Sequence, residues 1–393
     1  MSAAWLLGGK RTPIGRFLGD FASLSAPKLA GFCIKATVEE SGIDTASIGE
    51  ILMGQVISAG VGQAPARQAL HAAGLPDSIG AVTINKVCGS GLFATMLAAR
   101  SIQAGIYRAA IAGGMESMSQ APHLLRQGRT GWKYGSQPLL DTIEVDGLRC
   151  ARSQNLMGNY AEKVANSHQL SRVAQDQWSL TSHQRATAAQ QHQKFLNEIA
   201  PVAVSETQTI AIDAGPRADS SLEKLGKLKP AFDSSGSVTA GNASTLSDGA
   251  ASLLVVDEDL KNSLRPQNAF RVLASAVMSR DPADLFIAPV GAVQKVLSMT
   301  KLPPSTIDLF EINEAFASQT LACIQELAID PEKVNVHGGA IALGHPIGCS
   351  GARVLVTLMH ALVAKQGRYG IATLCLGGGE AVAMLIERQT SLN

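Results

Sequence analysis

Four short segments of this 393-residue sequence carry side chains that could attack a carbonyl or pass a proton. Cys88 follows a strand-like run and precedes Gly89-Ser90-Gly91-Leu92-Phe93-Ala94-Thr95-Met96, a helix-forming stretch. A cysteine at a strand-to-helix turn faces the positive end of the helix dipole, which favours thiolate over thiol. The small glycines let an acyl group approach. A buried structural cysteine satisfies the same local pattern. His345 stands between Gly344 and Pro346, on backbone that cannot be ordinary helix or strand interior. Histidine can take a proton from a cysteine and return it near neutral pH; a capped loop histidine is the alternative. His337 and Cys349 flank it, but the spacing is loose for a metal site. Asn313 and Glu314, within Phe310-Glu-Ile-Asn-Glu-Ala-Phe-Ala317, offer a carboxamide and a carboxylate that could position water, fix a histidine, or cap a strand end. The fourth segment is Leu374-Cys-Leu-Gly-Gly-Gly-Glu380, with Cys375.

These segments must be held by regular elements, and the pattern supplies them. Residues 27–41 read as a helix, 50–56 as a strand, 81–87 as a strand, 92–102 as a helix and 109–114 as a short buried strand. Strands alternating with helices imply a parallel sheet covered on both faces. From about Met115 to Thr245 polar residues, Gly and Pro accumulate around one long helix, 173–192. Such an excursion carries loops over the core, where binding residues are often placed; a flexible insertion without function is the alternative. After Gly249 the α/β rhythm returns and continues to Glu387. A strand running into a cysteine and a glycine-rich turn occurs in both halves, at Cys88 and at Cys375. The echo suggests a duplicated unit with two cysteines in equivalent sites facing one cleft.

Composition narrows the classes. Lys and Arg total 33 against 32 Asp and Glu, a net +1, so no charge excess drives binding to nucleic acid or an anionic membrane. Hydrophobic residues at 46%, 38 glycines and only 4% aromatics suit a close-packed α/β protein with tight turns, long enough for two or three domains. Cys33, Cys88, Cys150, Cys323, Cys349 and Cys375 show no C-x-x-C spacing, which reads as reduced thiols in a cytosol-like compartment. Lys10 and Arg11 follow the first apolar stretch instead of preceding it, so that stretch reads as a strand and not a secretory signal. No apolar run approaches bilayer length by this reading, and Ser391-Leu392-Asn393 is not a peroxisomal address. The expectation is a soluble, cytoplasmic protein without nucleic-acid or membrane partners.

Taken together, the segments resemble the thiolase family from Arg11-Thr-Pro-Ile-Gly-Arg16 to the end of the chain. The markers are Asn85-Lys-Val-Cys-Gly-Ser-Gly91, Gly113-Gly-Met-Glu-Ser-Met118, Val238-Thr-Ala-Gly-Asn-Ala-Ser244, Asn313-Glu-Ala-Phe316, the block from Gly338 to Gly351, and Cys375-Leu-Gly-Gly-Gly379.

The resemblance implies an α/β fold: a duplicated thiolase-like core in five αβαβα layers, with an inserted loop domain. Its boundaries would be 1–117, completed by 246–268, for the N-terminal core, 118–245 for the insertion and 269–393 for the C-terminal core. It implies an acyl-CoA C-acyltransferase joining two acetyl-CoA reversibly into acetoacetyl-CoA and CoA. Cys88 would carry the acyl group, His345 exchange protons with Cys88 and CoA, Cys375 act as the second acid/base thiol, and Asn313 hold a water. The N–H groups of Cys88 and Gly377 would stabilise one oxyanion. Arg217 would lie near the adenine phosphates with Lys224 as a helper, Ser244 along the pantetheine arm, and Ala315 and Phe316 along the channel. CoA and acetyl-CoA enter as substrates, with no permanently bound cofactor and no metal. Residues 123–143 resemble a tetramerisation loop, implying a homotetramer. Two departures stand out: Leu156, where many acetoacetyl-CoA enzymes have a histidine, and His337, where many relatives have Asn. A broader-chain 3-ketoacyl-CoA thiolase of fatty-acid β-oxidation is the nearest rival. A non-catalytic acyl-CoA-binding relative is the rival from another class.

Overall fold

Residues 3–390 are described by a computed structural model. The first apolar runs become strands β1 (Trp5–Arg11), β2 (Ile48–Gly54), β3 (Gly80–Ile84) and β4 (Ala109–Ser117), joined much later by β5 (Ser247–Val256) in the order β3-β2-β4-β5-β1. The second half contributes β6 (Asn268–Ser279), β7 (Leu309–Ile312), β8 (Tyr369–Leu376) and β9 (Glu380–Thr390) in the order β7-β8-β9-β6. The half-sheets join at Trp5↔Arg271 and Leu6↔Phe270, with the Val272 N–H on the Ala4 carbonyl at 3.0 Å, so they run on as one ten-stranded sheet that includes the two-residue strand Gly15–Arg16.

The sheet is mixed, not parallel as the rhythm suggested. β2 runs parallel to β3 and β4, and β7 to β8, while β5, β1, β6 and β9 pair antiparallel. Every residue of β5 is buried. A continuous apolar run reports cover on both faces and says nothing of direction.

The duplication is real, but its correspondence differs from the echo read in sequence. Matching strand order and direction pairs β2 with β7, β4 with β8, β5 with β9 and β1 with β6. Cys88 precedes a helix, whereas Cys375 precedes a hairpin into β9. The counterpart of the Cys88 turn is therefore the turn at His345. Glycine-rich turns look alike in sequence whatever they connect.

Five layers follow from the apolar faces. Helices α1 (Ala26–Ser41) and α2 (Pro65–Ala72) pack outside the first half-sheet, burying Leu29, Ile34 and Leu70 against Ile51 and Ile111. Helix α3 (Ser90–Gln103) lies between the half-sheets. In the inserted region the expected long helix is α5 (Arg172–Gln191), preceded by α4 (Met157–Ser167) and followed by the short helical turn Leu222–Gly226. Helices α6 (Ala288–Thr300) and α7 (Ala317–Leu327) cover the second half-sheet, and α8 (Ile347–Ala364) shares the central layer with α3.

At the α3–α8 crossing only glycine fits. A Cβ on Gly91 would stand 2.7 Å from the Ala352 nitrogen, and one on Gly351 2.4 Å from the Leu92 nitrogen. This contact brings both helix N-termini, and the residues just before them, to one place. By length and a mean hydropathy of 1.6, α8 would suffice to cross a bilayer, contrary to the sequence reading; 83% of it is buried inside the fold. Its apolar surface is the cost of being packed from all sides.

The insertion is tied to β1 by Arg11, which is fully buried and bonds Glu198 at 2.5 Å and Asp213 at 2.6 Å. A buried guanidinium demands such partners.

Candidate active site

Cys88 sits in the turn from β3 to α3, on strained backbone. Val87 before it has φ +44°, a left-handed conformation that costs a β-branched residue on the order of 1–3 kcal/mol. The turn interlocks with the hairpin after β8. A Cβ on Gly89 would lie 2.3 Å from the Leu376 side chain, and Lys86 pairs with Glu380 at 2.6 Å. The hairpin closes through Gly378 and Gly379 at φ +91° and +93°, which side chains rarely adopt.

The N–H groups of Gly377 and of Cys88 itself both donate towards the Cys88 sulfur. They do not make it a resting thiolate, as the helix-dipole argument expected. Burial dominates, and with a smaller contribution from Glu116 it pushes the Cys88 thiol up to about 11. Cys375, one residue before the end of β8, is also raised well above the ordinary thiol range, by burial and then by the neighbouring sulfurs of Cys88 and Cys323. Both thiols rest protonated and need a base.

His345 supplies one. Gly344, at φ +113°, has no room for a Cβ, which would meet the Ser247 hydroxyl at 2.2 Å. The His345 backbone N–H bonds the Thr245 carbonyl at 3.1 Å. Its Nδ1 lies 2.6 Å from the Ser350 hydroxyl, which donates to the Pro346 carbonyl at 2.9 Å. With the hydroxyl proton so committed, Nδ1 carries the hydrogen and Nε2 presents its lone pair. Asn313 Nδ2 approaches that Nε2 at 3.4 Å. Burial, then the charge of Arg353, pushes His345 down to about 3, so it is neutral.

Asn313 is fixed by its N–H to the Thr373 carbonyl at 3.1 Å, and its buried Oδ1 has no protein partner. Glu314, in contrast, is a strut. It accepts from Trp178 at 3.1 Å, Ser182 at 2.7 Å, Asn335 at 2.9 Å and the Ile341 N–H at 3.2 Å, binding α5 to the site's floor. His337 stands apart from His345 as well, its ring set edge-on to Phe195 at 6.0 Å.

One apolar cavity of about 330 Å³ is lined by Cys88, His345, Cys375, Ser244, Ala315, Phe316 and Gly377 together. Of the residues singled out in sequence, Asn313 lies just behind His345, while Arg217 and Lys224 are not on the cavity wall. Arg217 is exposed, its N–H bonded to His183 Nδ1 at 3.2 Å, and Lys224 is paired with Asp219 at 2.5 Å. Sequence reasoning missed Ser350, although it lies five residues after His345 in the same glycine-rich block. It placed Phe316 in the channel but missed the two rings packed on it, Phe232 and Phe286, with centroids 6.1 and 5.5 Å away. No local spacing links three phenylalanines from separate segments.

The profile described as "Thiolase, N-terminal domain" matches residues 5–259, and "Thiolase, C-terminal domain" matches residues 267–388. The chain belongs to the thiolase family. This thiolase is 48% identical over 389 residues to an acetyl-CoA acetyltransferase of Escherichia coli (strain K12), covering 98% of each chain. It is 44% identical over 393 residues to an acetyl-CoA acetyltransferase of Cupriavidus necator, covering 99% of this chain and 100% of that one. Among solved structures, the acetyl-CoA acetyltransferase of Bacillus anthracis superposes with a TM-score of 0.96 at 38% identity, covering 99% of both chains. The Acat5 thiolase of Ascaris suum, in complex with coenzyme A, gives 0.93 at 39% identity, covering 98% of this thiolase and 100% of that chain.

Proposed function

We propose that the chain is an acetyl-CoA C-acetyltransferase that interconverts two acetyl-CoA with acetoacetyl-CoA and CoA. The observation that carries this reading is the convergence on one apolar cavity of two protonated thiols and an imidazole lone pair. Nε2 of His345 takes the Cys88 proton as sulfur attacks the thioester carbonyl, and returns it to the departing CoA sulfur. Acetyl-Cys88 remains. His345 Nε2, free again, takes the proton of Cys375, and the Cys375 thiolate removes an α-proton from a second acetyl-CoA. The resulting carbanion attacks acetyl-Cys88, the Cys88–acyl bond breaks, the leaving Cys88 sulfur takes the proton held on His345, and acetoacetyl-CoA leaves. Each oxyanion needs donors in place: the N–H groups of Cys88 and Gly377 for the acyl-enzyme, and, for the CoA thioester, His345 Nε2 carrying the proton it has taken up, with a water on Asn313.

Ser244, Ala315 and Phe316 line the arm of CoA, and Arg217 meets its phosphates from the surface. Lys224 joins only if its pair with Asp219 opens. The chain divides into a core of 1–117 with 246–268, an insertion of 118–245 and a core of 269–393, works in the cytoplasm, and assembles as a homotetramer. The tetramer reading is supported by Tyr134 and Leu139, which stand 98% and 65% exposed in the 123–143 segment. Replacing both by Ser should lower the mass measured by light scattering; an unchanged mass rejects that loop as the contact.

Incubation with acetyl-CoA should add one acetyl group to the Cys88 peptide, and none in a Cys88→Ser variant. No adduct on the unaltered chain would leave the non-catalytic binding reading in possession. Leu156 on the cavity wall favours a second reading, a thiolase of broader chain length. Faster cleavage of longer 3-ketoacyl-CoA than of acetoacetyl-CoA would decide for it.

A further inference from the structure

The transfer reaction needs Cys88 and His345, which come from different halves of the fold, held at a fixed separation. Glu116 sits between their supports and has no part in the chemistry above. It lies one residue before the end of β4, as Cys375 lies one residue before the end of β8, the matching strand. Its side chain is fully buried. One carboxylate oxygen accepts the Val56 N–H at 3.0 Å and the Gly348 N–H at 3.0 Å, and the other accepts the Ile57 N–H at 3.3 Å.

Each partner leads to a catalytic residue. Gly348 is in the first turn of α8, whose N-cap Pro346 offers no side-chain cap, so Glu116 caps the helix from another strand. His345 immediately precedes that cap, and Ser350, which holds Nδ1, lies in the same turn. On the other side, the Val56 carbonyl accepts Asn85 Nδ2 at 3.3 Å, and Asn85 Oδ1 accepts the Val87 N–H at 3.0 Å. Val87 is bonded to Cys88. A continuous hydrogen-bonded path thus runs from the His345 helix through Glu116 and Val56 to Asn85 and the Cys88 turn.

We propose that Glu116 is a positioning residue: with Asn85 it forms a strap that sets the distance between Cys88 and His345. The proposal rests on the acetyl-transfer reading. The strap works through accepted hydrogen bonds, so a side chain keeping one acceptor oxygen preserves most of it. Glu116→Gln can still serve Val56 and Gly348 with its carbonyl oxygen and should retain kcat within about threefold. Glu116→Met, of similar length but without an acceptor, should lose about 100-fold in kcat while KM for acetyl-CoA changes less than about twofold. Asn85→Ala, cutting the path at its far end, should lose about 10-fold in kcat with the same unchanged KM. Because both cuts sever one path, the double variant Glu116→Met/Asn85→Ala should be no slower than Glu116→Met alone.

The proposal is overturned if Glu116→Gln falls as far as Glu116→Met, since charge and not position would then matter. It is also overturned if the losses multiply in the double variant, or if only the unfolding midpoint drops. Should Glu116→Met fail to fold, a fall in kcat without a change in KM in Asn85→Ala supports the strap, and unaltered kcat there rejects it. Acetylation of wild-type Cys88, followed in parallel, reports on the underlying reading separately, because the strap concerns only the ratio of variant to wild type.

Discussion

At the scale of single residues, burial outweighs local dipoles. A thiol at a helix N-terminus was expected to ionise easily, yet Cys88 is pushed up to about 11 and His345 down to about 3. The resting pair is therefore thiol and neutral imidazole over a wide range. His345 accepts a proton only as neutral imidazole, which persists until pH falls near its lowered pKa. Acetylation of Cys88 should accordingly stay level between about pH 5 and 9; a limb titrating near the ordinary histidine value would refute it. Cys150 behaves oppositely. Burial raises it, but hydrogen bonds from the Tyr160 and Ser153 hydroxyls and the Ser153 and Arg152 N–H groups outweigh this and bring it down to about 7. It lines a surface hollow with Arg149 and Asp146. Iodoacetamide at neutral pH should alkylate Cys150 before Cys88, read by peptide mapping, and Tyr160→Phe should slow it.

At the scale of elements, the site depends on two turns meshing. Gly89→Ala would drive a Cβ into Leu376, an overpacking worth about 1–3 kcal/mol. It should cost about 100-fold in kcat by parting Cys88 from Gly377; full activity with normal stability would show that the contact yields freely. These elements also mark how far sequence carried. The two core helices read from sequence, 27–41 and 92–102, fall within two residues of α1 and α3 because apolar spacing has a helical period. Strand direction was not, because β5 is buried on both faces and its run of apolar residues is blind to its neighbour's polarity. Cys88, His345, Asn313 and Cys375 were found through motifs whose local physics left each ambiguous. Ser350 lay within reach, five residues after His345, but nothing in its type marked it; the rings of Phe232 and Phe286 on Phe316 are contacts between segments, which no single window contains. Arg217 was readable as a cation but not as a surface one.

At the scale of the whole molecule, buried neutral histidines make the fold sensitive to acid. Burial, then the charges of Arg217 and Arg16, lower His183 to about 4. As pH falls from the ordinary value of 6.5, the unfolded chain takes up the proton first. The stability contributed by keeping His183 neutral is therefore whole above pH 6.5 and drains away towards pH 4. His183→Gln removes that drain, and its stability relative to the parent, from urea unfolding, should rise by up to about 3 kcal/mol across the window. A pH-independent difference would mean that His183 titrates normally.

The order β3-β2-β4-β5-β1 has a consequence for birth on the ribosome. β4 and β1 both take β5 as neighbour, yet residues 118–246 are made between β4 and β5. At usual elongation rates the nascent chain holds two open strand edges for on the order of ten seconds. During that interval the growing thiolase has nothing of its own to pair them with, so it is a natural client for whatever shields exposed backbone at the tunnel exit.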